Sequence, residues 1–296
     1  MPTIGPISCV TIAAPEVQRM IDTYRLYLGY ELVDHGKVST QQAQLWGRPS
    51  LAGRRYAIML PGGEGMTSFR FIESPQAPSY KPFLHMGWNA AEIMVQDTDA
   101  AAAKLVDSPF KVIGPPANLS FTDKIRAMQV LGPSNESLYL TSFKEKMAEF
   151  DVPDAVHFID RVFIVILGGQ TAEGLNDFYS RHFGVGKAQV MPAVISVVSG
   201  AHGIPADTRH DLAALGLTGQ SYIEADTMPA ATLPRTDVAP GELPPAIAMV
   251  SFGVDALPDT LDYVSPPQAL AQAPYNGRRA ALAVGPAGEL IELIER

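Results

Sequence analysis

GPSNESLYL occupies residues 132–140 and GPAGELIEL occupies residues 285–293. Each stretch is a Gly-Pro turn followed by an alternating apolar run, which predicts a β-strand. Each also follows, by about forty residues, another alternating run: AAEIMVQD at 90–97 in the first case and AMVSFGVD at 248–255 in the second. A pattern that recurs in this way indicates an architecture built from repeated units.

The first repeat shows the order of elements within a unit. Residues 7–14, ISCVTIAA, alternate and are rich in β-branched side chains, which predicts a strand. The following residues place apolar side chains at helical spacing as far as Gly29, which predicts a helix ended by a glycine. Three more strand-like runs, ELVDHG, RRYAIML and SFRFIES, complete a βαβββ unit. The same order is predicted to begin again at residues 87, 158 and 246.

The third unit departs from this order after its helix. Its helix over 171–184 matches that of the first unit, with Tyr179 and Gly184 where the first unit has Tyr24 and Gly29. The run AVISVVSG that follows predicts a strand, and the segment from His202 to Gly216 is interpreted as an inserted loop with a short helix.

The fold class follows from what one unit leaves exposed. A single βαβββ unit would leave one face of a small sheet in water, and two units that face each other would bury it. We therefore predict an α+β fold in which four βαβββ modules pair into two cup-shaped domains. Modules one and two are predicted to form residues 1–146, and modules three and four to form residues 155–296.

Composition limits the classes of partner. The net charge is −9 and there is no run of lysines or arginines, so nucleic acids and anionic membranes are disfavoured. The single cysteine cannot form an intrachain disulfide, and the first residues lack the pattern of a signal peptide. No apolar stretch is long enough to span a bilayer. We expect a cytoplasmic protein that acts on a small molecule.

The repeated helix ends, the segments Val95-Gln96-Asp97 and Val254-Asp255 after two first strands, and the Gly-Pro turns together resemble the vicinal oxygen chelate superfamily, which includes glyoxalase I, bleomycin-resistance proteins and extradiol dioxygenases. The resemblance covers nearly the whole chain as a tandem, two-domain member. It implies glyoxalase-like cups that hold a small substrate. It also implies that modules pair either within one chain or by exchange in a homodimer.

The resemblance implies a metal site that this sequence lacks. Metal-binding relatives place a histidine on the first strand of each module and a glutamate on a closing strand. The first-strand positions carry no histidine, and an arginine there would repel a cation. We therefore predict no cofactor, although a divalent metal remains open. The first-strand positions are assigned to Cys9, Ala90, Arg161 and Met249, and the closing-strand positions to Glu73, Tyr139, Glu224 and Glu292.

Glu92 is the strongest catalytic candidate. If Ala90 points into a cup, strand alternation brings Glu92 there as well, and a carboxyl in an apolar cup has a raised pKa. Such a group is an acid or base near neutral pH, and Tyr139 could donate to a developing oxyanion. Glu73 completes the predicted catalytic set. The predicted substrate contacts are Cys9, His35, Trp88, Gln129, Arg161, Glu224 and Glu292.

A purely structural role stays open at several of these positions. Glu92 could face outward, because a shift of one residue reverses every face of a strand. Cys9 and Trp88 could be ordinary core residues. Arg161 could pair with a nearby glutamate in place of a metal.

Three functions remain. The first is a metal-independent isomerase, epimerase or lyase that acts on a carbonyl-bearing or aromatic metabolite. The second is a protein that binds a drug or other small molecule without turnover. The third is a ring-cleaving dioxygenase or glyoxalase with displaced metal ligands, built from Glu292 or Glu73 with His202 or His210.

Overall fold

The computed structural model describes residues 3–147 and 150–296, which form sixteen strands and five α-helices. The first two units contain β1 Ile4–Ala14, α1 Val17–Thr23, β2 Tyr30–Lys37, α2 Thr40–Leu45, β3 Arg55–Pro61, β4 Ser68–Glu73, β5 Gly87–Val95, α3 Thr98–Lys104, β6 Lys111–Asn118, β7 Ile125–Leu131 and β8 Ser137–Phe143. The last two contain β9 Ile159–Gly169, α4 Ala172–Phe183, β10 Met191–Val194, α5 Ser196–His202, β11 Arg209–Leu217, β12 Ser221–Thr227, β13 Ala246–Val254, β14 Gln268–Ala269, β15 Arg279–Val284 and β16 Leu290–Glu295.

The four units pair into two eight-stranded sheets. One sheet has the order β14-β15-β16-β13-β1-β4-β3-β2, and the other has the order β10-β11-β12-β9-β5-β8-β7-β6. The prediction of four modules that pair into two glyoxalase-like cups is therefore confirmed, although the described residues of unit four contain no helix between β13 and β14. The predicted pairing of consecutive modules is wrong, because unit one pairs with unit four and unit two with unit three. Residues 1–146 and 155–296 are consequently not the two cups, which we name cup 1/4 and cup 2/3 after their units.

First strands join the units of each cup. β1 pairs antiparallel with β13, and β5 pairs antiparallel with β9. Every unit offers the free edge of its first strand, so the alternating pattern allows any two units to join. The choice between partners depends on how the whole chain packs.

A shared apolar core lies between the two sheets. Side chains from both sheets and from α1, α3 and α4 form one continuous buried cluster. Trp88 joins this core: its Nε1 donates to the carbonyl oxygen of Leu290 at 2.8 Å, and its ring centroid lies 5.9 Å from that of Phe252. The predicted substrate contact at Trp88 is therefore wrong. In the described residues, no helix is long and apolar enough to cross a membrane.

Glycines end the helices where the sequence predicts it. The helix after β1 finishes in a π-helical turn, and Gly29 follows it with φ 74°. Gly184 ends α4 with φ 63°. Both angles lie in the left-handed region that glycine adopts without strain.

The third unit differs from its prediction. Only the short β10 and then helix α5 occupy the run that was predicted to be a strand, and the predicted insertion after His202 contains β11. A short apolar run fits either a buried strand or a helix, so periodicity alone does not separate them.

The repeated Gly-Pro turns carry a buried carboxyl each. Glu136 accepts a hydrogen bond from the Tyr24 hydroxyl at 3.1 Å, and Glu289 accepts one from the Tyr179 hydroxyl at 3.3 Å. Unit one's helix is thereby attached to unit two's turn, and unit three's helix to unit four's turn. Burial raises the pKa of both carboxyls to about 7, although backbone hydrogen bonds oppose the rise. These contacts give the sequence repeat a structural role.

We expect Glu136→Gln to flatten the dependence of folding stability on pH. The pKa of Glu136 is about 7 in the folded protein, whereas an unfolded glutamate has a pKa of ~4.3. Between these values the folded state binds a proton that the unfolded state has released, so folding stability falls as pH rises from about 4.5 through about 7. Glutamine cannot ionise, which removes this contribution. Urea unfolding between pH 5 and pH 8 measures the slope. Glu289→Gln serves as the matched variant, and an unchanged slope in both would contradict the assignment.

Candidate functional site

Two opposed positions lie at the centre of cup 1/4. In β4, Arg70 pairs with Thr11 of β1, and in β16, Glu292 pairs with Ser251 of β13. Because β1 and β13 are antiparallel neighbours, Arg70 and Glu292 hold equivalent closing-strand positions. Glu73, which was predicted there, ends β4 and forms an exposed ion pair with Arg55 at 3.0 Å. The prediction is wrong because Glu73 and Arg70 lie on opposite faces of the strand.

Glu292 is the acceptor of a saturated polar network. Arg70 forms a 2.9 Å ion pair with it, and both side chains are almost completely buried. Trp46 Nε1 and the Tyr275 hydroxyl each donate to Glu292 at 2.6 Å, and the Ser251 hydroxyl donates at 2.5 Å. Burial alone would raise the pKa of Glu292, but the Arg70 charge and these hydrogen bonds lower it below its usual value.

Cup 1/4 is closed by its own chain. Helix α2 and the 3₁₀ turn after it place Trp46 and Leu51 in a buried cluster with Leu270 and Tyr275. The Arg70 guanidinium lies 4.9 Å from the Trp46 ring centroid, in cation–π range. Cys9 is also fully buried in this cup, where burial raises the pKa of its thiol. The predicted substrate contacts at Cys9 and Glu292 thus lie inside a filled interior.

Cup 2/3 has a different set at the equivalent positions. Glu92 of β5 pairs with Tyr139 of β8, and Ile166 of β9 pairs with Glu224 of β12. Tyr139 and Glu224 therefore hold the closing-strand positions, as predicted from the sequence. β5 and β9 pair Ala90 with Ile166 and Glu92 with Ile164. Since Tyr139 and Glu224 are equivalent, Glu92 corresponds to Ile166, and the first-strand position of unit three that corresponds to Ala90 is Ile164.

Arg161 does not occupy that first-strand position, and the prediction is corrected. Its Nη2 donates to the carbonyl oxygen of Gly219 at 3.2 Å, in the turn between β11 and β12. It forms no ion pair with Glu224 or Glu292 in the described part of the chain. The pairing of β5 with β9 is irregular on both sides of Ile93. A bulge adds a residue to one strand, so positions counted along the sequence no longer correspond to positions in the sheet, which explains the error.

Three carboxyls share the concave face of cup 2/3. Alternation places Glu224 and Asp226 on one face of β12, while Ile223 and Ala225 enter the main core. Burial raises the pKa of Glu92 to about 7. Burial and then the charge of Glu92 raise the pKa of Glu224 to about 8. Burial and the charge of Glu224 raise the pKa of Asp226 well above its usual value. These shifts give the cup groups that exchange protons near neutral pH.

Tyr139 stands among these carboxyls. Burial, followed by the charges of Glu224, Asp226 and Glu92, raises the pKa of its phenol well above the usual range. The hydroxyl therefore stays protonated at neutral pH and remains a hydrogen-bond donor.

Polar groups in cup 2/3 are left without partners. Ser137 Oγ, Thr141 Oγ1 and Asp226 Oδ1 are buried and form no hydrogen bond. The Thr141 hydroxyl lies close to the Glu92 carboxyl and opposes the rise of the Glu92 pKa. The two groups are not aligned well enough to form a hydrogen bond. Buried polar groups are normally paired, so these groups are available for hydrogen bonds to a bound molecule or to water. The surrounding wall is apolar and consists of Phe83, Ala90, Ile113, Ile164, Ile166, Ile195, Val197, Val198 and Met228.

The remaining predicted residues divide between the cup and the surface. Gln129 lies opposite Tyr139 in β7 and is half-buried, which agrees with its prediction as a lining residue. His35 is exposed on the edge strand β2, so its predicted place in a cup is wrong. His202 Nε2 lies 3.0 Å from the Phe83 carbonyl oxygen, and His210 Nε2 lies 3.1 Å from the Ser199 hydroxyl.

Arg70 and Asp226 are the important residues that the sequence reasoning missed. Counting alternate positions forward from Glu224 would have found Asp226. An isolated arginine between two phenylalanines gives no comparable signal for Arg70.

Comparison with known proteins depends on structure alone. No family model matches the sequence, and no curated protein matches it. Glyoxalase I from Zea mays superposes with a TM-score of 0.63 over 99% of this chain and 93% of its own, at 12% identity. The fold is that of glyoxalase I. A putative dioxygenase from Bacillus subtilis has the same glyoxalase fold, with a TM-score of 0.61 over 99% of this chain and 85% of its own, at 13% identity.

The residues of this glyoxalase fold do not fit the metal set that the resemblance implies. In cup 1/4 the four positions hold Cys9, Arg70, Met249 and Glu292, and the Arg70 guanidinium, paired with Glu292 at 2.9 Å, would repel a divalent cation. Within residues 3–147 and 150–296, no group of three or more histidine, cysteine, aspartate or glutamate side chains could hold a metal ion. The displaced set of Glu292 or Glu73 with His202 or His210 does not converge, since Glu292 is in cup 1/4 and Glu73 is on the surface.

Proposed function

We propose that the protein is an enzyme that acts on a small carbonyl-bearing or aromatic metabolite in cup 2/3, by acid–base isomerisation, epimerisation or elimination. One observation carries the proposal: Glu92, with a pKa near 7, shares an apolar cup with Tyr139 and with polar groups that have no partner.

The chemistry would divide between three side chains. The Glu92 carboxylate would remove a proton from the carbon beside the carbonyl. Tyr139 would donate a hydrogen bond to the enolate oxygen, where charge develops. Glu224, whose pKa is about 8, would be protonated while Glu92 is partly ionised, and could return a proton to the substrate. The apolar wall would limit access of water to the intermediate.

Deuterium exchange tests the proposal without knowledge of the product. The protein is incubated in D₂O with a panel of small 2-oxo acids, hydroxyketones and aldehydes, and proton NMR follows the hydrogens beside each carbonyl. We expect one class to exchange with wild type and with Glu73→Gln, a surface control, but not with Glu92→Gln. Exchange that is equal in all three proteins, or absent throughout the panel, would reject the proposal.

A second candidate is a protein that binds a small molecule without turnover. It is favoured by the filled interior of cup 1/4, which leaves cup 2/3 as the candidate ligand site, and by the carboxyls of cup 2/3. In that case Glu92→Gln would weaken ligand binding, measured by calorimetry, while no compound exchanged deuterium.

A further inference from the structure

The carboxyls of cup 2/3 lack a positive charge beside them. Glu92 comes from β5, and Glu224 and Asp226 come from β12. In the described ranges, no lysine, arginine or histidine forms an ion pair with any of the three. Cup 1/4 gives the contrast, because Arg70 neutralises Glu292 there. A buried carboxylate without a partner is costly and takes up a proton instead, so these carboxyls would ionise once a cation lay beside them.

Ser137 is a second and independent sign of a ligand. Its side chain is 1% exposed and its hydroxyl has no hydrogen-bond partner. It lies two residues before Tyr139 on β8, and so on the same concave face of the strand. A hydroxyl aimed into the cup and left unpaired can accept a hydrogen bond from a bound molecule.

The cup is also built for an apolar body. Ile164 and Ile166 lie on β9 between the carboxyls of the two neighbouring strands, and α5 contributes Val197 and Val198. Ile164 and Glu224 keep part of their surface exposed to solvent.

We propose that cup 2/3 selects ligands that carry a positively charged nitrogen on an apolar body, with Glu224 and Asp226 as the acceptors for that nitrogen. The inference rests on the proposed function, since it concerns the same cup, and it narrows the substrate class to amino-bearing carbonyl compounds. Glu92 and Tyr139 remain free for the reacting carbon and oxygen. Anionic substrates are disfavoured, because an anion in the cup would raise the cost of ionising Glu92 further.

A pair of probes that differ in charge tests the inference. 2-Naphthylmethylammonium and 2-naphthylmethanol have the same ring and nearly the same shape. Saturation-transfer NMR at millimolar probe and calorimetry measure their affinities for the full chain. We expect the ammonium to bind about tenfold or more tightly, because hydrogen bonds to charged groups contribute about that much. Glu224→Gln and Asp226→Asn should each remove most of this preference, whereas Glu73→Gln should keep it.

The outcomes separate this inference from the proposed function. If the alcohol binds as tightly as the ammonium and Ile164→Trp abolishes both, the charge inference is overturned while the cup remains the site. If the ammonium preference holds and no carbonyl compound exchanges deuterium, the charge inference stands and the acid–base function fails. If neither probe binds, the charge inference is overturned, and the exchange assay alone decides the acid–base function. Unfolding midpoints confirm that each variant is folded.

Discussion

Glu292→Gln is expected to lower the free energy of unfolding by about 3–5 kcal/mol, as measured by urea titration. The substitution leaves Arg70 buried with its charge uncompensated, in an interior where both partners of the pair are at most 1% exposed. It also disturbs the hydrogen bonds from Trp46, Tyr275 and Ser251. The loss would identify cup 1/4 as a structural part of the molecule.

Glu73→Gln is the matched control, because it removes the same charge from an exposed pair with Arg55. Exposed ion pairs contribute about 0–1 kcal/mol, so little change is expected. The double variant Arg70→Met with Glu292→Leu should recover much of the loss, since apolar residues can replace a buried pair. A decrease below ~1 kcal/mol for Glu292→Gln would show that the pair is not a stabilising element.

Glu92→Gln is expected to lower the rate of the catalysed exchange by about 10²–10⁴-fold, the range that a positioned general base contributes. In wild type the rate should rise with pH through about 7, because only the ionised Glu92 accepts a proton, and should fall above about 8 as Glu224 loses the proton that it returns to the substrate. Exchange rates measured from pH 5 to pH 9 give both quantities. A flat profile, or an equal rate in the variant, would remove Glu92 from the mechanism.

Stability separates this role from a structural one. Since burial raises the pKa of Glu92, the folded state favours its protonated form, and stability falls as pH rises from about 4.5 through about 7. Glutamine avoids that cost, so Glu92→Gln should be as stable as wild type at pH 5 and more stable at pH 8. Loss of activity with a gain of stability marks a residue that is kept for function.

We propose that the two cups divide structure from function. Glu292 in cup 1/4 has every partner supplied by the chain, which fixes the interior and leaves no capacity for a ligand. In cup 2/3, Ser137, Thr141 and Asp226 each have a buried oxygen that forms no hydrogen bond with the described residues. The same fold supports both arrangements, because function depends on the side chains in a site.

The sequence alone determined the repeat, the α+β class and part of the site. Strand alternation and helical spacing are local properties, so the βαβββ order and the glycines at positions 29 and 184 could be predicted. The same alternation placed Glu92 and Tyr139 together, and the strand register confirms that they are neighbours.

Tertiary structure decided the rest. The sequence did not show which units pair, because β1, β5, β9 and β13 all present similar free edges. The sequence analysis assigned Glu73 to the wrong face of β4, because it lies an odd number of positions from Arg70. It assigned Arg161 to the wrong position on β9, because bulges in the β5–β9 pair shift the register. The filling of cup 1/4 by Trp46 and Tyr275 depends on contacts between residues more than 200 apart, which no local pattern encodes.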